Sequence, residues 1–599
     1  MGTLRERAIR ALLALAALLS FFAAAIGVNA DVSFWLGRLH VRAHSASAPL
    51  IGVVALLSLA VVLSRGRLRD ALAWWWAALE RRAAAIACCL ACIAVLVGVN
   101  WGTFTAGGSD SYCYLNQAEL FARGTVRDVE PLATDQAWTG SADAFVPVGH
   151  NPSPAVAGSF VPMCPAGYPL LLAAARLTFG RDAMFWVAPV FGALAVWFAF
   201  VLGRRMGGAA AGILSATLIL TSPIFLYQVV QPMNDVVAAA LWAGALCAAT
   251  WVSASNRTRA LVTGLISGAA VTIRPNLVPL AGAMALCTIV FARDRGGGLF
   301  RERLASLVQF GAAALPGLVL VMSVQSAMYG SPLRSGYGDL SLLFSWTHVV
   351  PNIWQYARWT AGAHTVLIAL AFAAPLTVRT HAREQAACLL FFALATLACY
   401  LPYVVFDVWW YQRFLLPGIL PMLVLTSAVV LSMIAWLDPA VRVVAFLTVL
   451  LVVPLLYIHT AVDRSVFRLQ DVEARFRNAG EYATRLPPES VFVAGSESGS
   501  VRFYTGRTSV VWLGIEPGRL GEALEFFRAR ARKPYLLIET GEEERAFRER
   551  FAAEKLGELE WPPVVEIDRA VRIYDPADYE SYMRGEFVKS ERVMTKRQK

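Results

Sequence analysis

Long apolar runs constrain this chain more than any other feature. A helix that crosses a bilayer needs roughly 20 apolar residues. Thirteen stretches approach that length and are expected to span: 8–28, 49–64, 83–99, 184–203, 208–226, 236–252, 258–273, 276–292, 305–326, 362–378, 385–405, 414–436 and 440–458. Residues 70–79, with Trp74, Trp75 and Trp76, read as a separate interfacial helix. The N-terminus carries Arg5, Arg7 and Arg10, then apolar 11–27. It has the build of a signal peptide and is read as an uncleaved first span. Charged residues make up 16% of the 599 residues, against about 25% in a soluble domain. The expected fold class is therefore a polytopic α-helical membrane protein of about 13 transmembrane helices, residues 1–462, followed by a soluble domain, 463–599.

The net charge of +11 comes largely from arginines in short loops between apolar runs. That is the pattern of cytoplasmic loops beside anionic lipid, and it argues against nucleic-acid binding. Arg65, Arg67, Arg69, Arg81, Arg82, Arg204, Arg205, Arg257, Arg259, Arg293, Arg295, Arg301, Arg303, Arg379 and Arg383 follow this rule. The N-terminus is then cytoplasmic. Loops 100–183, 227–235, 327–361 and 406–413, with the tail from 459, lie outside. The stretch 167–180 holds Arg176 and would reverse every later loop if it crossed, so it is read as a short helix at the outer interface. The expected location is the inner (plasma) membrane, with 463–599 extracytoplasmic.

From about 463 the pattern alternates. Helices are expected at 468–486, 518–532 and 542–555, and strands at 490–494, 509–513, 535–539, 563–567 and 570–574. This is a small α/β domain without a glycine-rich nucleotide motif. Gly495 to Ser500 reads as a polar loop.

Residues able to carry chemistry gather outside. The first outer loop opens with Gly107-Gly108-Ser109-Asp110-Ser111-Tyr112, followed by a helical stretch 113–123. A carboxylate at the membrane surface can act as a general base or bind a divalent cation. Asp110 would serve equally as a helix N-cap, and so would Asp235 in Pro232-Met233-Asn234-Asp235. Arg274, in Thr272-Ile273-Arg274-Pro275-Asn276, and Arg413, in Tyr411-Gln412-Arg413-Phe414, sit where spans end. A guanidinium there suits a lipid-linked phosphate, or anchors the helix at the interface. Trp346, Trp354, Trp359, Trp409 and Trp410 form an interfacial aromatic belt or a surface for stacking sugars. Cys113 and Cys164 share one outer loop, which allows a disulfide.

The ordered set of motifs resembles the GT-C glycosyltransferases: the protein O-mannosyltransferases, the lipid A aminoarabinose transferases and related enzymes. It comprises Ser109-Asp110-Ser111-Tyr112, then Pro165-Ala166-Gly167-Tyr168-Pro169, then Thr221-Ser222-Pro223 leading to Asn234-Asp235. Arg274-Pro275-Asn276 and Tyr411-Gln412-Arg413-Phe414 complete it. The resemblance covers roughly 90–440. It implies a polyprenyl-phosphate-linked sugar as donor and inverting transfer to a protein, lipid or glycan acceptor on the outer face. By position it implies Asp110 as the base, Asp235 as the second acid, and Arg413, Arg274, Tyr411 and Tyr112 on the substrates. A divalent metal ion is a candidate cofactor, with Asp110 and Asp235 as candidate ligands. The chain departs from many relatives in having Ser109 where an acidic pair is common, and Met163-Cys164-Pro165 where His-Pro-Pro stands.

Two other classes are distinguishable. A transporter or flippase would show inverted repeats and ionisable residues at the bilayer midplane, whereas this chain has no evident repeat and its charges cluster at span ends. A non-enzymatic partner would depend on 463–599 and tolerate loss of the Asp110 carboxylate.

Overall fold

The computed structural model describes residues 68–594, apart from 136, 137, 139, 140, 295 and 297, together with isolated earlier pieces that include a β-hairpin, Val32–Leu36 with Leu39–Ala43. The expected spans 8–28 and 49–64 fall largely outside the described residues. The protein is a multi-pass membrane protein. Among the described residues six helices are long and apolar enough to cross a bilayer, or seven if one bent pair counts as a span.

Two expectations about the helices need correction. Residues 70–79 are not a separate interfacial helix, because Leu68–Asn100 is one helix of 33 residues. No glycine or proline interrupts it before Gly98, so nothing local breaks it. The run 362–378 is not one straight helix: Trp346–His364 and Val366–Thr377 meet at 105°. Thr365 makes the corner with φ 60 and caps the Leu367 amide through its hydroxyl. The runs 184–203 and 208–226 are, as expected, two helices: Val187–Thr221 breaks sharply at Gly208 (φ 80), and Gly203 packs against Ser215 and Gly212 against Phe200 across the break. After it, Asp235–Ala249 and Val278–Val290 are short helices of 15 and 13 residues.

The bundle has a central helix and peripheral ones. The apolar window within Trp409–Ile434 is 89% buried, against 11% for Leu299–Tyr329, so the first forms the core and the second faces lipid. Leu416–Ile434 packs on Val187–Thr221, which also receives Leu68–Asn100. The basic loops meet at one end of the bundle: Arg205 Nη1 donates to Cys247 O (2.5 Å), Gln385 Nε2 to Thr250 O (3.3 Å), and Arg259 Nη1 to Phe291 O. The other ends of Asp235–Ala249 and Asn256–Ile273 carry Asp235 and Arg274.

Loop 100–183 folds as a unit at that second end. Helix Asp110–Ala122 packs on helix Gly167–Phe179, beside an antiparallel sheet ordered Asp128–Val129, Ser159–Pro162, His150–Pro152. Gly167–Phe179, with 13 residues, is not among the helices long and apolar enough to cross a bilayer. Gly167 lies against the Thr272 backbone, where a Cβ would collide; this seats the helix beside Arg274. A disulfide joins Cys113 to Cys164, with Cα atoms 6.2 Å apart. Its removal by Cys113→Ser with Cys164→Ser should cost about 2–4 kcal/mol, the usual worth of a cross-link over a loop of this size. An unchanged thermal midpoint in the full-length double variant would contradict this.

The C-terminal domain is a six-stranded mixed sheet ordered Glu591–Val593, Val565–Ile567, Val571–Tyr574, Lys533–Glu539, Ser490–Ala494, Ser509–Val511. Alternation along the strands builds two cores. Phe492, Ala494, Tyr535 and Leu537 face helix Leu469–Ala483 on one side. Val491, Val493, Leu536 and Ile538 face Leu520–Arg528 and Glu542–Arg550 on the other. The polar stretch 495–500 is corrected in part: a helix, Ser498–Thr505, starts inside it. The domain rests on loop 100–183. Trp138 and Phe145 enter its second core. Gly499 abuts the Tyr112 ring with no room for a side chain. Arg502 Nη1 pairs with Glu130 Oε2 at 2.9 Å.

Candidate active site

Four helix starts or ends converge where loop 100–183 meets the bundle. Asp110 is the first residue of its helix, preceded by Gly108 in the left-handed region (φ 56). It does not cap that helix through its side chain. Its Oδ2 instead accepts from Arg413 Nη2 at 2.8 Å. The Asp110 side chain is 47% exposed and that of Arg413 14%, so this pair opens toward solvent from the carboxylate side.

The second pair is buried. Asp235 opens helix Asp235–Ala249, where the helix dipole favours a negative charge. Its Oδ1 lies 2.8 Å from Arg274 Nη2, and the side chains are 0% and 9% exposed. The contact is close in charge but not aligned as a hydrogen bond, and Asp235 Oδ2 has no partner. Arg274 is held from two further directions: Nε donates to Asn234 Oδ1 (3.2 Å) and Nη1 to the Tyr400 hydroxyl (3.0 Å). Asn276 Nδ2 donates to the same hydroxyl at 3.0 Å.

Aromatic rings tie the two pairs together. Arg274 and Arg413 lie over one ring, Phe414, at 5.1 and 5.3 Å from its centroid. Phe414 stacks on Tyr400 (5.1 Å, 9°). Tyr411 stacks on Phe406 (3.6 Å, 12°) and also lies under Arg413 at 5.3 Å. Two guanidiniums on one aromatic platform make a rigid cationic patch beside two carboxylates. Tyr337, an exposed residue of the neighbouring outer loop, is within electrostatic reach of Asp110, Arg274 and Arg413.

Of the residues singled out from sequence, Asp110, Asp235, Arg274, Arg413 and Tyr411 come together. Tyr112 does not join them: it is buried against Gly499 with its ring 5.0 Å from His150. His150 is buried, bonded to Asn116 Nδ2 (2.9 Å), and its pKa is pushed down to about 3 by burial, so it is a neutral packing residue. Trp346 and Trp354 are exposed, whereas Trp359 is buried. Sequence reasoning missed Tyr400, Asn234 and Tyr337 as members of the cluster. Asn234 stood beside Asp235 in a polar break and was open to notice. Tyr400 ends an apolar helix and carried no local signal.

The candidate metal ligands do not fit a resident cation as placed. Asp110 and Asp235 each face a guanidinium. Among the described residues neither belongs to a group of three ligand side chains close enough to share an ion. Among the described side chains, Arg274 and Arg413 supply positive charge beside these carboxylates.

Residues 165–323 match the family described as dolichyl-phosphate-mannose-protein mannosyltransferase. That segment contains Asp235 and Arg274 but neither Asp110 nor Arg413. No curated protein matches the chain. Among solved structures, the chain is similar to ArnT from Cupriavidus metallidurans bound to undecaprenyl phosphate: 14% identity, TM-score 0.48, covering 77% of this chain and 94% of that one. It is similar to the Archaeoglobus fulgidus oligosaccharyltransferase tethered with an acceptor peptide, at 13% identity and TM-score 0.46, covering 79% and 72%. It is also similar to the arabinofuranosyltransferase AftD from Mycobacteria, at 15% identity and TM-score 0.43, covering 77% and 35%.

Proposed function

We propose that the protein is a membrane glycosyltransferase that moves a sugar from a polyprenyl-phosphate donor to an acceptor on the extracytoplasmic side. The observation that carries this reading is the half-exposed Asp110 carboxylate paired with Arg413 beside the buried Asp235–Arg274 pair. The family match over 165–323 supports the same chemistry. Basic loops at the far end of the bundle support an outer-side location for the cluster by the positive-inside rule.

Each group has a task in this reading. Arg413 and Arg274 bind the donor phosphate and take up the negative charge that develops on it as the bond to the anomeric carbon breaks. A phosphate that engages Arg413 competes with Asp110 for it, so donor binding frees the carboxylate. Asp110 then accepts the proton of the acceptor nucleophile as that atom attacks the anomeric carbon, and the electron pair of the broken bond leaves with the polyprenyl phosphate. Asp235, with no exposure, holds the Arg274 guanidinium in place. Tyr411 and Phe406 offer an aromatic wall beside Arg413.

Arg413→Ala should weaken donor binding roughly ten- to a hundredfold, because a charge-assisted hydrogen bond contributes about 1.5–3 kcal/mol. Titration with a polyprenyl-phosphate sugar measures it; native affinity in the variant would remove Arg413 from the donor site. The reaction itself is tested by mass spectrometry of envelope glycans and glycoproteins from cells with and without the protein. Gain or loss of one sugar identifies donor and acceptor together, and identical profiles refute the transferase reading.

A further inference from the structure

The C-terminal sheet carries a second set of carboxylates, which the proposed reaction does not use. Strand Ser490–Ala494 lies between two parallel neighbours, Ser509–Val511 and Lys533–Glu539. The chain passes first to the neighbour on one side, then crosses to the other. Between Ser490–Ala494 and Lys533–Glu539 the connections therefore diverge, and open α/β sheets form a ligand crevice at the carboxyl ends of such strands. Glu497 follows the first of these strands, Glu539 ends the second, and Glu543 lies in the first turn of the next helix. One oxygen from each lies within 4.8 Å of the others. Two oxygens on opposite sides of a calcium ion, each at about 2.4 Å, are separated by a similar distance.

A separate observation points to a missing ligand. Glu497 is 0% exposed, and neither of its carboxylate oxygens has a hydrogen-bond partner. Burying such a group unpaired is costly. The other members are only partly satisfied. Arg475 Nε lies 3.0 Å from Glu539 Oε1. Trp512 Nε1 donates to Glu543 Oε1 at 3.0 Å and Ser496 N to Glu543 Oε2 at 3.3 Å. Three carboxylates against one guanidinium leave a charge deficit, and burial with two acidic neighbours holds the Glu497 carboxyl well above its usual range.

We propose that Glu497, Glu539 and Glu543 form a divalent-cation site in this crevice, taking a hard ion such as Ca²⁺ or Mg²⁺. An all-oxygen donor set suits these ions, whereas zinc favours sites with nitrogen or sulfur ligands. The location gives the ion a structural consequence. The residues just after Glu497 hold the first outer loop: the Ser498 hydroxyl accepts from Val148 N at 3.3 Å, and Gly499 abuts Tyr112, two residues from Asp110. A bound ion stiffens the surface on which the helix of Asp110 rests.

The test uses full-length protein in detergent, stripped with EDTA, and follows thermal unfolding with CaCl₂ or MgCl₂. The midpoint should rise by roughly 3–6 °C at saturating ion. Glu497→Gln should abolish the rise and Asp110→Asn should keep it, which separates this site from the proposed transferase site. Should Glu497→Gln fail to fold, Glu543→Gln, at a partly exposed position, must abolish the rise instead. An unchanged midpoint with CaCl₂, MgCl₂ and MnCl₂ overturns the proposal, since Glu497 is then simply held protonated. A native response in the folded glutamine variant overturns it too.

Discussion

Asp110→Asn should lower transfer about 10²–10⁴-fold, the usual contribution of a positioned general base, while the protein inserts and folds as before. The two halves of this expectation rest on different features. The loss of rate follows because asparagine keeps the size of aspartate but cannot accept the acceptor's proton. The intact fold follows because Asp110 is half exposed, and an ion pair open to water is worth only about 0–1 kcal/mol. The substitution also releases Arg413, so donor binding should be retained or improved. Assay of the variant in membranes with a polyprenyl-phosphate sugar separates the effects. Native turnover would remove Asp110 from the base role, and a collapsed thermal midpoint would mean that the pair is structural.

Arg274→Met should lose stability as well as transfer, and the loss of stability should be large. Asp235 would keep its charge in a site with no exposure, without the guanidinium opposite. Removing one partner of a buried pair typically costs about 3–5 kcal/mol, and the hydrogen bonds from Arg274 to Asn234 and Tyr400 go with it. Adding Asp235→Asn should recover much of that loss, because the stranded charge is then gone. Thermal unfolding of the native chain, the single variant and the double variant measures the coupling. A single variant as stable as the native chain would mean that Asp235 reaches water. A double variant no better than the single one would mean that the Asn234 and Tyr400 contacts, not the charge, carry the cost.

Much of this architecture was legible because hydropathy and periodicity are local. Long apolar runs marked the helices, and short apolar runs at 490–494 and 535–539 marked the central strands with little error. Asp110, Asp235, Arg274 and Arg413 were each legible as charges where apolar runs break, since a charge there needs a reason. A break inside a run was less legible. Thr365 turns the backbone inside apolar sequence, and hydropathy does not register a dihedral angle. The continuity of Leu68–Asn100 was missed because a tryptophan cluster looks the same on an interfacial helix and on the first turns of a long one.

What sequence alone determined, then, is which segments are helices or strands and which charged residues stand at their ends, because lipid and water sort side chains by short-range pattern. The tertiary structure decided the pairing. Arg413 meets Asp110 across 303 positions, and Arg274 meets Asp235 because Asn234, Tyr400 and Asn276 hold it there. Glu497, Glu539 and Glu543 converge only through the order of strands in the sheet. Those partners are chosen by how helices and strands pack, and packing depends on contacts between residues far apart along the chain.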